Sequence, residues 1–468
     1  MRKILLALLA LIVLGAAAVV VFAVQYRPDR AVRVATEYIA HTLCTATFVS
    51  NLDPDQVYRE ALRPARGIRL LNRGIRYNVD KLRKEVTVDF LRNFDGYAVF
   101  RGESGCVIGH EGEYIPPIMD PNRSEEIASV LPDISGPEIV EPKNDKLKTA
   151  LDRAFAEPDH GPRRHTKAVV VLHNGKIIAE RYAPGITIDT SLLGYSMSKS
   201  VINAFVGILV RQGKLKVDGP APVDEWKDAS DPRHVISIEN LMRMTSGLDL
   251  DETNSGFDPA SQILSLEGDM AGAAARAPLK ALPGIRWHYS SPSTLILSRI
   301  VKNNAGGQAD AVERFARREL FGPLGMKAMT LEFDGQGTPV GSTFFLGRAR
   351  DWARFGELYR LDGVIEGKRI LPEGWVKWSA MPTVESPEGY AAGFWTNRGD
   401  SGGAKTRVKE GFPPDSFMAV GALGQRIVVV PSRNLVVVRM GVTQDFSSSD
   451  YGVARLVSDV VAAIGNGT

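Results

Sequence analysis

A serine and a lysine three residues apart, Ser196 and Lys199, are the pair in this sequence best suited to chemistry. A serine hydroxyl needs a nearby base before it acts as a nucleophile at neutral pH. On a helix, residues i and i+3 share one face about 5–6 Å apart, so the lysine amine can reach the hydroxyl. The free N–H groups and positive dipole end of a helix start also favour an oxyanion there. The spacing predicts an acyl-accepting serine. The alternative is a serine that only caps the helix, with the lysine facing water.

Two other segments could supply the remaining groups of an acyl-transfer site. Tyr289, which follows a Pro-Gly turn in residues 283–291, could relay a proton if a neighbouring cation lowers its pKa. The alternative is an aromatic turn residue that packs on the core. Residues 417–425 have the pattern of a strand that runs into a glycine-rich hairpin, whose backbone N–H could complete an oxyanion hole. An ordinary hairpin is the alternative there.

The elements that must position these groups are visible in the hydrophobic pattern. Residues 196–211 are apolar almost all round and stop at Gly213, which predicts a buried central helix. Residues 167–182 predict a hairpin, because Asn174-Gly175 supplies the two positive φ angles of a type I′ turn.

The remaining pattern predicts an α/β (α+β) fold. Three strand patterns lie between residues 417 and 440, and an amphipathic helix follows at 453–464. Strands at both chain ends with helices between them indicate an antiparallel β-sheet flanked by helices. Residues 216–330 are predicted to form an all-helical insert.

The first residues of the chain have a different composition. Residues 4–24 carry no polar side chain and follow Arg2 and Lys3, a length that can cross a bilayer core of about 30 Å. We predict a transmembrane helix in the bacterial inner membrane, with the rest of the chain on the periplasmic, extracytoplasmic side. The alternative is a signal peptide cleaved at the small residues 15–18.

Residues 31–145 precede the main domain, residues 146–468, and form an N-terminal accessory segment that holds both cysteines, Cys44 and Cys106. Outside the cytoplasm these two could form a disulfide, which would stabilise the fold by about 4 kcal/mol in the chain-entropy view. Two buried free thiols are the alternative.

Composition and spacing exclude several classes of function. The formal net charge of +3 and the absence of a basic run argue against a nucleic-acid binder. The histidines form no H-x-x-x-H pair, so a zinc hydrolase is unsupported. Residues 194–198 fail the last position of a G-x-S-x-G elbow. We expect no metal and no organic cofactor.

Taken together, the segments resemble the superfamily of serine β-lactamases and penicillin-binding proteins, over about residues 165–445. The likeness is greatest to the class C-like hydrolases and, within those, to the 6-aminohexanoate-dimer hydrolases. Besides the three elements above, the segments that carry it are Gly194–Ser200, Leu241–Leu248, Ala349–Gly356 and Arg369–Trp375.

The resemblance implies a β-lactamase-like fold and a role for each candidate residue. It implies Ser196 as acyl nucleophile, Lys199 as its base partner and Tyr289 as proton shuttle. It also implies the N–H groups of Ser196 and Ala422 as oxyanion hole, with Gly421 and Ser291 at the substrate.

This sequence departs from the β-lactamases at two positions. Ala419-Val420-Gly421 stands where they carry Lys-Thr-Gly, and Tyr289-Ser290-Ser291 replaces Tyr-x-Asn. Lys405-Thr406 is followed by Arg407 rather than by glycine. The departures favour an amidase or esterase acting on a small-molecule substrate, and the sequence does not separate these two. A non-catalytic binder of cell-wall fragments on the same scaffold is the alternative, and the oligomeric state is left open.

Overall fold

The accessory segment forms a compact unit in which one long helix packs on an antiparallel sheet. The computed structural model describes residues 24–109, 127–444 and 452–465. The sheet has the strand order β1-β2-β3-β4. Gly96 in β3 lets the helix lie close, because a Cβ there would stand 2.3 Å from the carbonyl carbon of Thr36. The elements are α1 (Pro28–Cys44), α2 (Pro54–Val57), α3 (Arg66–Leu71), β1 (Ile75–Asp80), β2 (Glu85–Phe90), β3 (Phe94–Phe100) and β4 (Cys106–Ile108).

A disulfide joins the end of α1 to β4 in this unit. Cys44 and Cys106 form it, with their Cα atoms 6.1 Å apart. The cross-link ties the helix to the last strand of the sheet on which it packs.

The main domain is built around a sheet that combines both ends of the chain. Its order is β12-β13-β14-β15-β5-β6, and every neighbouring pair is antiparallel. The β5–β6 hairpin turns at Asn174 and Gly175 with φ angles of 50° and 76°, as its sequence predicts. The strands of the domain are β5 (Thr166–His173), β6 (Lys176–Tyr182), β7 (Leu192–Leu193), β8 (Thr330–Leu331), β9 (Phe345–Gly347), β10 (Val364–Ile365), β11 (Lys368–Arg369), β12 (Trp395–Thr396), β13 (Phe417–Gly421), β14 (Gln425–Val430) and β15 (Leu435–Gly441).

Helices cover both faces of this sheet. The first and last helices of the domain, α4 and α15, pack on one face, and α5 and α12 belong to the larger core on the other. Helix α5 is buried from Ser198 to Leu209, as the predicted central helix should be. The helices are α4 (Asp145–Phe155), α5 (Ser198–Arg211), α6 (Ile238–Met242), α7 (Pro259–Leu266), α8 (Met270–Ala275), α9 (Ser291–Asn304), α10 (Ala309–Ala316), α11 (Gly322–Leu324), α12 (Ala349–Arg360), α13 (Trp375–Ser379), α14 (Gly402–Lys409) and α15 (Val453–Ile464).

The insert predicted as all-helical, residues 216–330, is helical only in short pieces. Helices α6 to α11 are separated by irregular stretches, the longest at 243–258 and 276–290. Within these stretches Gly247 and Gly284 adopt φ angles of 75° and 82°, a left-handed conformation that a right-handed helix does not contain. The irregular stretches matter because they carry groups of the candidate site.

The predicted membrane segment, residues 4–24, lies outside the described residues apart from Val24. Within the described ranges, no helix has both the length and the apolar character needed to cross a bilayer.

A buried carboxylate fastens the accessory unit to the main domain. Glu332, which follows β8, is fully buried and accepts hydrogen bonds of 2.8 Å from Thr45 Oγ1 and from the Cys106 N–H. Its other oxygen lies 3.0 Å from His41 Nε2. All three partners belong to the accessory unit, so this carboxylate is a main polar connection between the two parts.

We expect Glu332→Ala to lower the free energy of unfolding by about 3–5 kcal/mol, because it leaves buried polar groups without their partner. Urea denaturation followed by tryptophan fluorescence measures the change. The exposed pair Asp224–Lys227 provides the control, since Asp224→Ala should cost less than about 1 kcal/mol. Equal losses for the two variants would show that Glu332 does not connect the units.

Candidate active site

The serine singled out in the sequence lies in a tight turn just before the buried helix. Ser196 is the middle residue of a 3-10 turn, Tyr195–Met197, and the α-helix α5 begins only at Ser198. The sequence predicted the helix from Ser196 onward, and the tighter turn replaces its first residues. N–H groups at the start of such a turn have no partner within it, so the N–H of Ser196 suits an oxyanion.

The lysine amine lies against the serine hydroxyl. Lys199 Nζ is 2.9 Å from each of three oxygens: Ser196 Oγ, Ser291 Oγ and the carbonyl of Ser342. Burial lowers the pKa of Lys199 to about 8, and the carboxylate of Glu252 opposes that shift. A neutral amine is therefore accessible near neutral pH.

The tyrosine from the insert completes a three-residue cluster. The Tyr289 hydroxyl interacts with that of Ser196, and Lys199 Nζ lies 4.9 Å from the centre of the phenol ring. The lowered pKa under which the sequence analysis allowed Tyr289 to relay a proton is not found. Burial raises that pKa well above its ordinary value, and the nearby Tyr390 and Glu252 add to the effect. The phenol thus stays protonated and can move a proton only by giving one and accepting another.

A carboxylate that the sequence analysis missed stands behind this cluster. Glu252 accepts hydrogen bonds from the N–H of Ser291 and, at 3.1 Å, from its hydroxyl. Ser291 in turn accepts the bond from Lys199, so the carboxylate is linked to the amine through one hydroxyl. No sequence signal distinguished Glu252 from its acidic neighbours Asp249 and Asp251, which pair with Lys280 instead.

Strand β13 borders the serine turn on the other side. A Cβ at Gly421 would stand 2.2 Å from the carbonyl oxygen of Gly194, so only glycine allows this approach. Ala422 follows directly and opens a 3-10 turn, Ala422–Gly424, which places its backbone beside the serine turn. Arg439 Nη1 holds this second turn by donating to the carbonyls of Leu423 and Gly424 at 3.2 and 3.0 Å.

Aromatic rings surround Tyr289. Its ring centre lies 5.6 Å from that of Tyr390 and 5.9 Å from that of Trp395. Trp287 contacts the same two rings at 6.1 and 6.4 Å. The phenol is therefore fixed by ring packing, which suits a group that must keep one position during catalysis.

β-Lactamases carry a lysine on the strand that corresponds to β13, and the nearby Lys405 does not take its place. Lys405 lies on α14, where its amine is exposed and 3.5 Å from Asp400. In the part of the chain that the structure describes, no three His, Cys, Asp or Glu side chains are arranged to hold a metal ion.

Comparison of the sequence with known proteins gives two informative matches. The profile of the Beta-lactamase family matches residues 151–462. The 6-aminohexanoate-dimer hydrolase of Paenarthrobacter ureafaciens is 24% identical over 302 residues, which cover 59% of this chain and 72% of that protein.

Among solved structures, a penicillin-binding protein homologue from Caulobacter crescentus superimposes with a TM-score of 0.54 at 16% identity, covering 71% of this chain and all of that one. EstCE1, a hydrolase with promiscuous acyltransferase activity, gives a TM-score of 0.51 at 17% identity, covering 67% of this chain and 97% of that one. At these identities the superpositions establish the shared fold.

The position of Glu252 predicts how the reactivity of Ser196 depends on pH. A base must be neutral to accept a proton, so the rate at which a fluorophosphonate labels Ser196 should rise with pH, with a midpoint near the Lys199 pKa of about 8. Because the carboxylate raises that pKa, Glu252→Gln should move the midpoint to lower pH.

The matched control is Asp249→Asn, which removes an acid of the same loop that pairs with Lys280. Its midpoint should equal that of the wild type. A Glu252→Gln profile that coincides with the wild-type profile would exclude an electrostatic link between this carboxylate and Lys199.

Proposed function

The chain belongs to the beta-lactamase family, and from that premise we propose that it hydrolyses an amide or ester bond through an acyl-enzyme on Ser196. The observation that carries the proposal is the contact of 2.9 Å between Ser196 Oγ and a buried amine whose pKa is lowered to about 8. A nucleophile and its base in contact, at the start of a buried helix, are what acyl transfer requires.

In the first half-reaction the serine replaces the leaving group. Lys199 takes the proton of Ser196, with Tyr289 beside both groups as relay. Oγ forms a bond to the substrate carbonyl carbon, and the electron pair of the C=O bond moves to its oxygen. When that pair returns, the bond to the amine or alcohol breaks, and the leaving group receives the proton that Lys199 had taken. The product is an ester of Ser196.

In the second half-reaction water replaces the serine. Water gives a proton to the Lys199–Tyr289 pair as its oxygen bonds to the acyl carbon. Collapse of this intermediate breaks the bond to Ser196 Oγ, which recovers the proton, and the free acid leaves. In both steps the N–H groups of Ser196 and Ala422 would hold the oxyanion, a type of stabilisation worth about 10²–10³ in rate per donor.

Two features favour a linear amide or an ester over a β-lactam. Ala419 stands on β13 where β-lactamases place the lysine of Lys-Thr-Gly, so this strand supplies no cation for the carboxylate of a β-lactam. Ser291 replaces the Tyr-x-Asn asparagine, and its hydroxyl connects Lys199 to Glu252.

We further propose that residues 4–24 anchor the protein in the bacterial inner membrane, with the catalytic domain on the periplasmic side. The disulfide between Cys44 and Cys106 supports this location, because disulfides persist in oxidising compartments and are rare in the cytosol.

The decisive variant is Ser196→Ala in the full chain purified in detergent. We expect it to abolish labelling by a fluorophosphonate and turnover of short-chain nitrophenyl esters and linear amides, since no acyl-enzyme can form. Ser230→Ala, which changes an exposed serine in a surface turn, is the control and should keep full activity.

Undiminished labelling of Ser196→Ala would mean that the nucleophile is another residue. A wild type that binds cell-wall fragments but neither labels nor turns over any substrate would favour the non-catalytic binder instead. The ratio of ester to amide turnover distinguishes an esterase from an amidase.

A further inference from the structure

We propose that helix α1 of the accessory unit is part of the catalytic apparatus, and that Tyr38 on this helix is a positioning residue for Ser196. The inference rests on the proposed function and goes beyond the family fold, because the family match begins at residue 151, after this helix has ended. Among the contacts of this helix with the main domain, three lie within a few residues of a group of the site.

The first contact concerns the residue before the nucleophile. Tyr195 has a φ angle of 47°, a left-handed conformation that is strained for a residue with a side chain. Such a conformation persists only where the surroundings impose it. The hydroxyl of Tyr195 interacts with the hydroxyl of Tyr38, which lies one helical turn before His41 on α1. The accessory unit thus holds the side chain of the strained residue whose backbone sets the direction of Ser196.

The second contact concerns the segment that binds the catalytic amine. The ring of His41 stacks on that of Phe344, with centroids 4.0 Å apart, and both side chains are buried. Phe344 follows two residues after Ser342, whose carbonyl accepts the bond from Lys199. Because His41 also contacts the buried Glu332, its ring has little freedom to move. The ring therefore restrains the segment that carries Ser342.

The third contact concerns the loop that carries the missed carboxylate. Gly256 has a φ angle of 82°, and a Cβ there would stand 3.3 Å from the carbonyl oxygen of Ala31, in the first turn of α1. The loop begins near Glu252, which holds Ser291. One helix therefore supports the nucleophile turn, the amine-binding segment and the carboxylate loop together.

If the accessory unit served only as a spacer between the membrane and the enzyme, it would need none of these contacts. A displacement of about 1 Å in a reacting group can cost 10²-fold in rate, so a helix that fixes three such segments should affect turnover. The Tyr38–Tyr195 contact is the most direct test, because a single oxygen atom can be removed from either side while the rings stay in place.

The experiment compares Tyr38→Phe, Tyr195→Phe and the double variant with the wild type, using the full chain in detergent. It measures the second-order rate constant of fluorophosphonate labelling, and kcat and KM for a nitrophenyl ester. We expect each single variant to lower the labelling constant and kcat about three- to tenfold, the effect of one neutral hydrogen bond, with KM within twofold. The double variant should lose no more than the larger single loss, because both changes remove the same contact.

The control is Tyr58→Phe, which removes a hydroxyl from the same unit that bonds to Asn72, away from the site. It should change the unfolding midpoint about as much as Tyr38→Phe does, but leave kcat at the wild-type value. Wild-type kcat in folded Tyr38→Phe, or losses that multiply in the double variant, would overturn the inference. If Tyr38→Phe does not fold, Tyr195→Phe decides alone by the same criterion. An unlabelled wild type would instead overturn the proposed function, and this inference with it.

Discussion

The site depends on the burial of one amine. Lys199 Nζ is surrounded by three oxygens at 2.9 Å and is shielded from water by the helix that carries it. Taking an ammonium group out of water is costly, so burial favours the neutral amine, the form in which it could act as the proposed base for Ser196. Two of these oxygens, Ser291 Oγ and the Ser342 carbonyl, belong to residues other than Ser196 and are uncharged. They accept hydrogen bonds from the amine without requiring it to stay charged.

The fold brings these three oxygens together from distant parts of the chain. Ser196 lies in the turn before the central helix and Lys199 in its first turn, Ser291 begins α9 of the insert, and Ser342 precedes β9. The amine is therefore reached from segments about 90 to 145 residues distant in the chain. The sheet that closes the site on the other side comes from the last hundred residues, paired with a hairpin that precedes the nucleophile.

The features that could be predicted from the sequence are those that depend on a few neighbouring residues. The Asn174-Gly175 turn needs two positive φ angles, and the spacing of the serine and the lysine needs one helical turn; both could be predicted from a few residues. Glu252 could not be distinguished within an acidic stretch, because only the tertiary path of its loop directs it to Ser291. The raised pKa of Tyr289 could not be predicted for the same reason, because the burial of this phenol depends on the rings of Tyr390 and Trp395, which lie over a hundred residues away in the chain.

The two departures from the β-lactamases, on β13 and at Ser291, can be related through the charges around the site. Glu252 places a negative charge one hydroxyl away from Lys199, and the amine is largely free of charge above its pKa of about 8. With Ala419 in place of the β13 lysine, a substrate carboxylate at that strand would meet no charged side chain on β13 itself, while Glu252 lies behind the amine. The missing strand lysine and the acid behind the amine act in the same direction, because each makes the proposed site less favourable to an anionic substrate.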